Sequence, residues 1–266
     1  MARAARYREW REQPESVPPK LESIQRDEAA GIVAAALGRG DGWLSPEETQ
    51  GLARCYGLPL VEQRIVRSAE EAAQAAEELK GKIALKAFAP SLLHKTAAGA
   101  VQLNLQGYEQ VKAAAMVMTQ RLIDQHHELE GYVVQRMEEK GVEMLVGVVH
   151  DPQFGPVVAC GAGGVQVELL RDVSIRLTPL SHEDASEMIR NLTTYPLLNG
   201  FRGGAVYDVA ALEEALLRVS AMVEDLPQIS ELDLNPFVVH PQGATILDAR
   251  IRVTTVEPRT LLGVRR

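Results

Sequence analysis

No stretch of this chain stays apolar for anything near the roughly 20 residues that a bilayer-spanning helix needs, which argues against a membrane role. The opening residues, MARAARYREWREQPESVPPK, are basic but have no apolar core, so they do not read as a secretory leader, and the expected compartment is the cytoplasm. Cysteine is scarce. Cys55 and Cys160 stand far apart, with no CxxC and no neighbouring histidine pair, so disulfide frameworks and thiolate zinc sites have no support and both read as small core residues. A formal net charge of −8 leaves no basic surplus for a nucleic-acid groove. Two common phosphate-binding signatures are also missing, since neither GxGxxG opening a helix nor GK[ST] occurs. There is no internal repeat and no low-complexity tract.

What is there is enough for a sizeable core. At 266 residues, 46% of them hydrophobic and 24% charged, the chain fits one composite fold with two lobes. Residues 1 to about 20 are rich in Arg, Glu and Pro and read as a solvated helix and a linker, because VPP blocks helix continuation. A short helix is expected from Asp27 to Leu37, ending at GRGDG. Ser45, Pro46 and Glu48 then supply the N-cap, first-turn proline and capping-box partner of the next helix. The same signature recurs at Ser68 and Glu71, closed by Gly81, between the strands LPLVEQRIV and KIALKAF, which makes a βαβ-like unit. GYEQVKAAAMVMTQRLIDQ has helical spacing, GYVVQRM and VEMLVGVVHD read as strands, and PVVACGAGG as a buried strand running into glycines. HEDASEMIRNL and VAALEEALLRVSAMVEDL read as amphipathic helices, the second with Leu212, Leu216, Val219 and Val223 on its core stripe. ELDLNPFVVHPQGATILDARI reads as a hairpin. The expected division is an extension over 1–44, a first lobe over 45–136 and a second over 137–266.

That hairpin carries the most informative constellation. A four-residue turn from His240 to Gly243 places Asn235 opposite Asp248 and Asp233 opposite Arg250. Period-two alternation then puts Asp233, Asn235 and Asp248 on one face, with Leu232, Leu234 and Leu247 on the other. Three oxygen-bearing side chains in one place suit Mg²⁺, which takes one or two carboxylates plus waters and nucleotide phosphates; a solvated face with an Asp–Arg pair is the plain alternative. A slip of one residue would disperse the cluster. Lys86 shares a strand face with Ala84 and Phe88, where it either snorkels to water or holds a phosphate as a point charge. His94 is either a loop histidine with a local hydrogen bond or a nucleophile whose ring nitrogen takes a phosphoryl group, with Lys95 stabilising the charge. In CGAGGVQVE the glycines follow a strand and the next residues, VQVELL, read as another strand; the glycines, Gly163 and Gly164 among them, could form a nest of backbone donors for an anion.

Taken in order, ALKAFAPSLLHKTAAGAVQLNL, VVQRMEEKGVEMLVGVVHDPQFGPVVACGAGGVQVELLRDVSIRLTPL, YPLLNGFRGG and ELDLNPFVV with ILDARI resemble the ATP-grasp domain of NDP-forming acyl-CoA synthetases. That group contains ADP-forming acetyl-CoA synthetase and, more distantly, the succinyl-CoA synthetase β subunit. The resemblance covers roughly residues 45 to 255 and implies an α+β ATP-grasp fold of two lobes with ATP or ADP held between them. Carried over residue by residue, it implies that Lys86 contacts the phosphates, Gln135 and Met137 form the adenine hinge, and Glu143, Gly163 and Gly164 lie near the nucleotide. It also implies that Asn235, Asp248 and Asp233 hold Mg²⁺ and that His94 relays phosphate. The implied enzyme is an acid–thiol ligase that needs a CoA-binding domain or subunit, in cis or in trans, and is inactive without it. Assembly into a homo-oligomer is compatible with this reading. The other reading is a non-catalytic, ligand-sensing module of the kind fused to protein acetyltransferases. HKTAAGAV departs from the family's HK[ST]DxGGV: Ala97 replaces an acid that bears on how His94 is oriented, and Ala100 adds a methyl expected to stiffen the loop. The N-terminal segment resembles the linker before this domain in single-chain members, so a longer parent polypeptide is expected.

Overall fold

The structure, a computed structural model, describes residues 17–89, 98–151, 153–164 and 172–255. In chain order these residues form α1 (Arg26–Leu37), β1 (Gly42–Trp43), α2 (Pro46–Cys55), β2 (Gln63–Val66), α3 (Ala69–Leu79), β3 (Lys82–Phe88), β4 (Val101–Gln106), α4 (Gly107–Asp124) and β5 (Gly131–Arg136). They continue with β6 (Val142–Asp151), β7 (Gly155–Ala162), β8 (Val173–Leu177), α5 (His182–Arg190), the short α6 (Tyr195–Leu198), a 3₁₀ turn (Phe201–Gly203), α7 (Val209–Asp225), β9 (Ile229–Val239), β10 (Ala244–Ile246) and β11 (Ala249–Val253). Three helix starts follow from their caps. Ser45 and Glu48 form the expected capping box on α2, with Pro46 at its first position, and Ser68 accepts from Glu71 N at the start of α3. Ser181 and Asp184 form a further box on α5. No helix among the described residues is long and apolar enough to cross a membrane.

The chain divides into two compact units. The small one, Leu60–Lys140, is a four-stranded sheet in the order β2-β5-β3-β4 with α3 and α4 packed on one face. Strand alternation explains the layering. Ile83, Leu85 and Ala87 of β3 and Tyr132 and Val134 of β5 bury against Ala72, Ala76, Leu79, Val111, Ala115, Met118 and Leu122 of the helices. The many alanines of α3 let it lie close to this surface. The β2–α3–β3 unit expected from sequence is split, because β5 runs antiparallel between β2 and β3.

The large unit joins the residues up to Pro59 with those from Gly141 on. Its sheet runs β1-β11-β9-β6-β7-β8, with β10 also paired to β9, and every pairing is antiparallel. One sheet face is core: Met144, Val146 and Val148 of β6, Val158 and Cys160 of β7, and Leu232 and Leu234 of β9 are buried, as are Leu212, Leu216, Val219 and Val223 of α7. Both cysteines are buried, and burial, with the Asp172 charge adding to it, pushes the Cys160 thiol up to about 12.

These units do not coincide with the boundaries expected at 44 and 136, and hydrogen bonds give the reason. β1 pairs with β11, Leu44 N donates to Ile251 O at 2.9 Å, and Tyr56, fully buried, donates its hydroxyl to Asp225 of α7 at 3.1 Å. Leu58 N donates to Ala53 O at 2.8 Å and Pro59 O accepts from Ile246 N at 2.8 Å, so the strand expected from Leu58 begins only at Gln63. The segment 45–59 therefore belongs to the large unit although it precedes the small one in sequence.

Asp172, just before β8, fastens that strand to the loop after α5. Its carboxylate accepts from Thr193 N at 2.9 Å, Thr194 N at 2.8 Å and Thr194 Oγ1 at 2.6 Å. Burial pushes this carboxyl up, but the threonine hydrogen bonds outweigh it and hold it below the ordinary carboxylate value. A group so depressed adds stability above its unfolded value of about 3.9 and loses it as pH falls through the folded one. Replacing Asp172→Asn is expected to flatten the acid limb of stability against pH below about 4. Urea midpoints measured across that limb check this, and an unchanged slope would contradict the clamp.

Candidate functional site

The face of the large sheet turned away from α7 holds the polar constellation. Asp233 lies directly opposite Arg250, Leu234 opposite Ala249, and Leu232 opposite Ile251. The ladder continues past the end of β11 through Asn235 N, which donates to the backbone oxygen of Asp248 at 3.1 Å, and Leu247 N, which donates to Pro236 O at 2.9 Å. This is the register expected from a turn at His240–Gly243, and the alternation follows. Leu232 and Leu234 are buried on the core face while Asp233, Asn235 and Asp248 are half-buried.

Burial first, and then the neighbouring Asp248 carboxylate, push the Asp233 carboxyl above its ordinary value, with Arg250 pulling the other way. Two carboxylates that repel one another beside an amide oxygen form a set of hard donors that a divalent cation would relieve. Among the described residues no three His, Cys, Asp or Glu side chains group as a metal set. Two carboxylates and one amide oxygen would leave most positions around a cation to waters or ligand oxygens.

A glycine turn at the end of β7 locks onto this face. Gly163 N donates to Glu143 O at 2.8 Å, extending the β6–β7 ladder, and Gly164 N donates to Asn235 Oδ1 at 3.3 Å. Gly163 needs glycine because backbone fills the space beside it, and Gly164 because its backbone is left-handed. A Cβ on Gly163 would stand 2.3 Å from the Met144 backbone oxygen, and one on Gly164, whose φ is +61°, would stand 1.9 Å from Glu143 Oε2. Glu143, Gly163, Gly164 and Asn235 are thus brought together, next to Asp233 and Asp248. The strand expected over VQVELL lies outside the described residues.

Lys86, Gln135 and Met137 belong to the small unit. On β3 and β5, Lys86 pairs with Val133 and Ala84 with Gln135, which sets Lys86 and Gln135 on the sheet face opposite the helices. Gln135 is buried and donates its amide to Gln63 Oε1 at 2.7 Å, across the β2–β5 pair. Sequence reasoning missed Gln63, which stands in the polar run Glu62-Gln63-Arg64, where no alternation marks it as buried. Met137 follows β5 directly, its N–H donating to Lys82 O at 2.8 Å, and the unit ends soon after at Lys140. His94, Lys95 and Ala97 lie outside the described residues. Ala100, expected to stiffen a loop, is fully buried in the small unit's core, and its carbonyl accepts from Ala87 N at 2.9 Å.

Residues 35–253 match the family model of an ATP-grasp domain. The chain belongs to the ATP-grasp family. Within it, this domain is 36% identical over 206 residues to the β subunit of acetate–CoA ligase [ADP-forming] I of Pyrococcus furiosus, a match covering 77% of this chain and 89% of that subunit. It is 35% identical to the acetate–CoA ligase [ADP-forming] I of Archaeoglobus fulgidus over 86% of this chain, but spans only 33% of that longer protein. Among solved structures it is similar to the dinucleotide forming acetyl-coenzyme A synthetase 1 of Ca. Korarchaeum cryptofilum, with a TM-score of 0.75 and 36% identity, covering 85% of this chain and 99% of that one. That structure holds coenzyme A and Mg-AMPPCP, with its phosphohistidine segment pointing towards the nucleotide binding site. The α+β ATP-grasp fold expected from the sequence is therefore the fold of this domain, and its relatives are ADP-forming acyl-CoA synthetases.

Because the atom that Gly163 excludes is backbone, Gly163→Ala is expected to cost about 1–3 kcal/mol, the usual range for overpacking a tight site. Urea denaturation measures it; a midpoint equal to that of the unaltered chain would mean that the glycine turn does not press on β6.

Proposed function

We propose that this ATP-grasp domain is the nucleotide-binding component of an ADP-forming acyl-CoA synthetase, which converts acid, CoA and ATP to acyl-CoA, ADP and phosphate through a phosphohistidine. The observation that carries the reading is the convergence of Glu143, the glycine pair, Asn235, Asp248 and Asp233 on one sheet face, in a chain whose relatives perform this chemistry. Phosphoryl transfer asks little covalent work of a protein. It asks for positioning and for charge neutralisation as the bond between phosphorus and the leaving oxygen opens.

Each residue then has a task. Lys86, a point charge on a half-buried strand, binds the phosphates, where exclusion of water strengthens the attraction. Gln135, its amide held by Gln63, and Met137 contact the base, and Glu143 with Gly163 and Gly164 lies along the nucleotide. Asn235, Asp248 and Asp233 hold Mg²⁺, which when bound offsets the negative charge of the phosphates. His94 takes the phosphoryl group: a phosphorus–nitrogen bond to its imidazole forms as the bond to ADP breaks. In the reverse direction the phosphohistidine returns that group to ADP. The acyl and CoA pockets lie on a CoA-binding partner domain or subunit, and the domain turns over acyl-CoA only with it.

Two measurements test the reading. Calorimetry with Mg·ATP and Mg·ADP should show binding that Lys86→Ala weakens at least about tenfold, as expected for loss of a charge-assisted phosphate contact; no binding by the unaltered chain, or no loss in the variant, would sink the nucleotide site. With a CoA-binding partner, acyl-CoA and phosphate supplied, acid-labile phosphate should appear on the chain and be absent from His94→Ala. Equal labelling of that variant would remove the histidine from the pathway.

A further inference from the structure

Between α5 and α7 the chain makes a turn that the nucleotide reading leaves without a task, NGFRGGAV over 199–206. Its two ends are fastened to the large sheet. Before it, Thr193 N and Thr194 N donate to the Asp172 carboxylate, and the Asp172 backbone oxygen accepts from Ala162 N at 3.1 Å, at the end of β7. After it, Asp208 N donates to His240 O at 2.8 Å and the Asp208 carboxylate accepts from Gly243 N at 2.8 Å, at the turn after β9. Within the turn, Asn199 and Val206 form a bridge, Tyr207 N donates to Leu198 O at 2.9 Å and Gly203 N to Gly200 O at 3.2 Å. A base tied in this way holds one shape, and a loop that holds its shape loses little freedom when it binds.

The tip is open. All six residues from Phe201 to Val206 are exposed, Phe201 at 52% and Val206 at 62%. The Arg202 guanidinium lies 5.2 Å from the centre of the Phe201 ring, and no carboxylate among the described residues pairs with it. Arg202 has a left-handed backbone, φ +53°, between Gly200 at +76° and Gly203 at +79°, a conformation that favours glycine over arginine. Small molecules are held in concave sites that bury most of their surface, and six successive exposed residues offer none. A formal net charge of −8 repels nucleic acid. A second protein remains as the occupant, and aromatic rings and arginines are the side chains that carry most binding energy at protein interfaces. On an acidic chain, this guanidinium also favours a partner surface that offers a carboxylate.

The place of the turn indicates which protein. Its base lies at the sheet end where β6 begins and β7 and β9 finish, the end that carries Glu143, Gly163 and Gly164. We propose that Phe201 and Arg202 are the anchor on which the CoA-binding partner docks, Phe201 entering an apolar pocket and Arg202 pairing with a carboxylate at its rim. This rests on the synthetase reading given above, in which the phosphoryl group must pass to such a partner, and goes beyond it by naming the surface. Docking there sets the partner beside the glycine turn of the large unit.

Calorimetric titration of the full chain with its CoA-binding component, supplied as a separate polypeptide, is expected to show Phe201→Ala weakening the complex at least about tenfold, as loss of an anchoring aromatic does. Arg202→Gly is expected to weaken it too while raising the urea midpoint of the chain alone, because glycine suits the left-handed backbone. Arg202→Lys should fall between, keeping the charge without the planar fork. Phe201→Ala and Arg202→Gly should both bind Mg·ADP within about twofold of the unaltered chain. Complexes of these two variants as tight as that of the unaltered chain would overturn the proposal. Loss of Mg·ADP binding in either would also overturn it, by placing the turn in the nucleotide site. An unaltered chain that forms no complex would instead overturn the synthetase reading on which the proposal rests.

Discussion

The antiparallel register between β9 and the strand after the His240–Gly243 turn is the constraint on which the rest of the site depends. It is held by the ladder from Ala244–Val239 to Arg250–Asp233, with Asn235 N on Asp248 O where regular pairing lapses. Side chains alternate with a period of two, so a slip of one residue would turn Asp233 and Asn235 toward the helices and bring Leu232 and Leu234 out to solvent. Burial of those leucines against the α7 layer therefore fixes the register by the same free energy that makes the core. The acidic cluster on the opposite face is a consequence of it.

That cluster is costly in isolation. Asp233 is desolvated and faces another carboxylate, and Arg250 relieves only part of the repulsion. In the glycine turn, backbone fills the space beside Gly163 and Gly164 takes a left-handed conformation, and their N–H groups meet Glu143 O and Asn235 Oδ1. Strands β6, β7 and β9 are tied together at that point by backbone and amide groups rather than by packed side chains.

Much of this was legible in the chain. The capping box at Ser45 and the cap at Ser68 are local, because a cap bonds within three residues. The hairpin register was readable once a four-residue turn at His240–Gly243 was assumed, since alternation then follows from it. The core stripe of α7 was readable from its 3.6-residue spacing. The order of strands in the small sheet was not: β5 enters between β2 and β3 because it completes hydrogen bonds on both sides, a choice that no local window contains. The unit boundary was hidden for the same reason, since Tyr56 and Pro59 find their partners at Asp225 and Ile246, far along the chain.

The sequence by itself determined the residue types, their alternation and the order of motifs, and these were enough to reach the ATP-grasp family and to name Asp233, Asn235, Asp248, Lys86 and the glycines as candidates. Local bonding carries that much, because caps, turns and alternation depend on neighbours within a few positions. Only the tertiary structure decided that Gly164 meets Asn235, that Gln63 holds Gln135, that the loop residue Ala100 is buried in the core, and that residues 45–59 pack with the large unit. Those contacts join residues widely separated along the chain, and such pairings are chosen by whole-domain burial and hydrogen-bond completion rather than by any local preference.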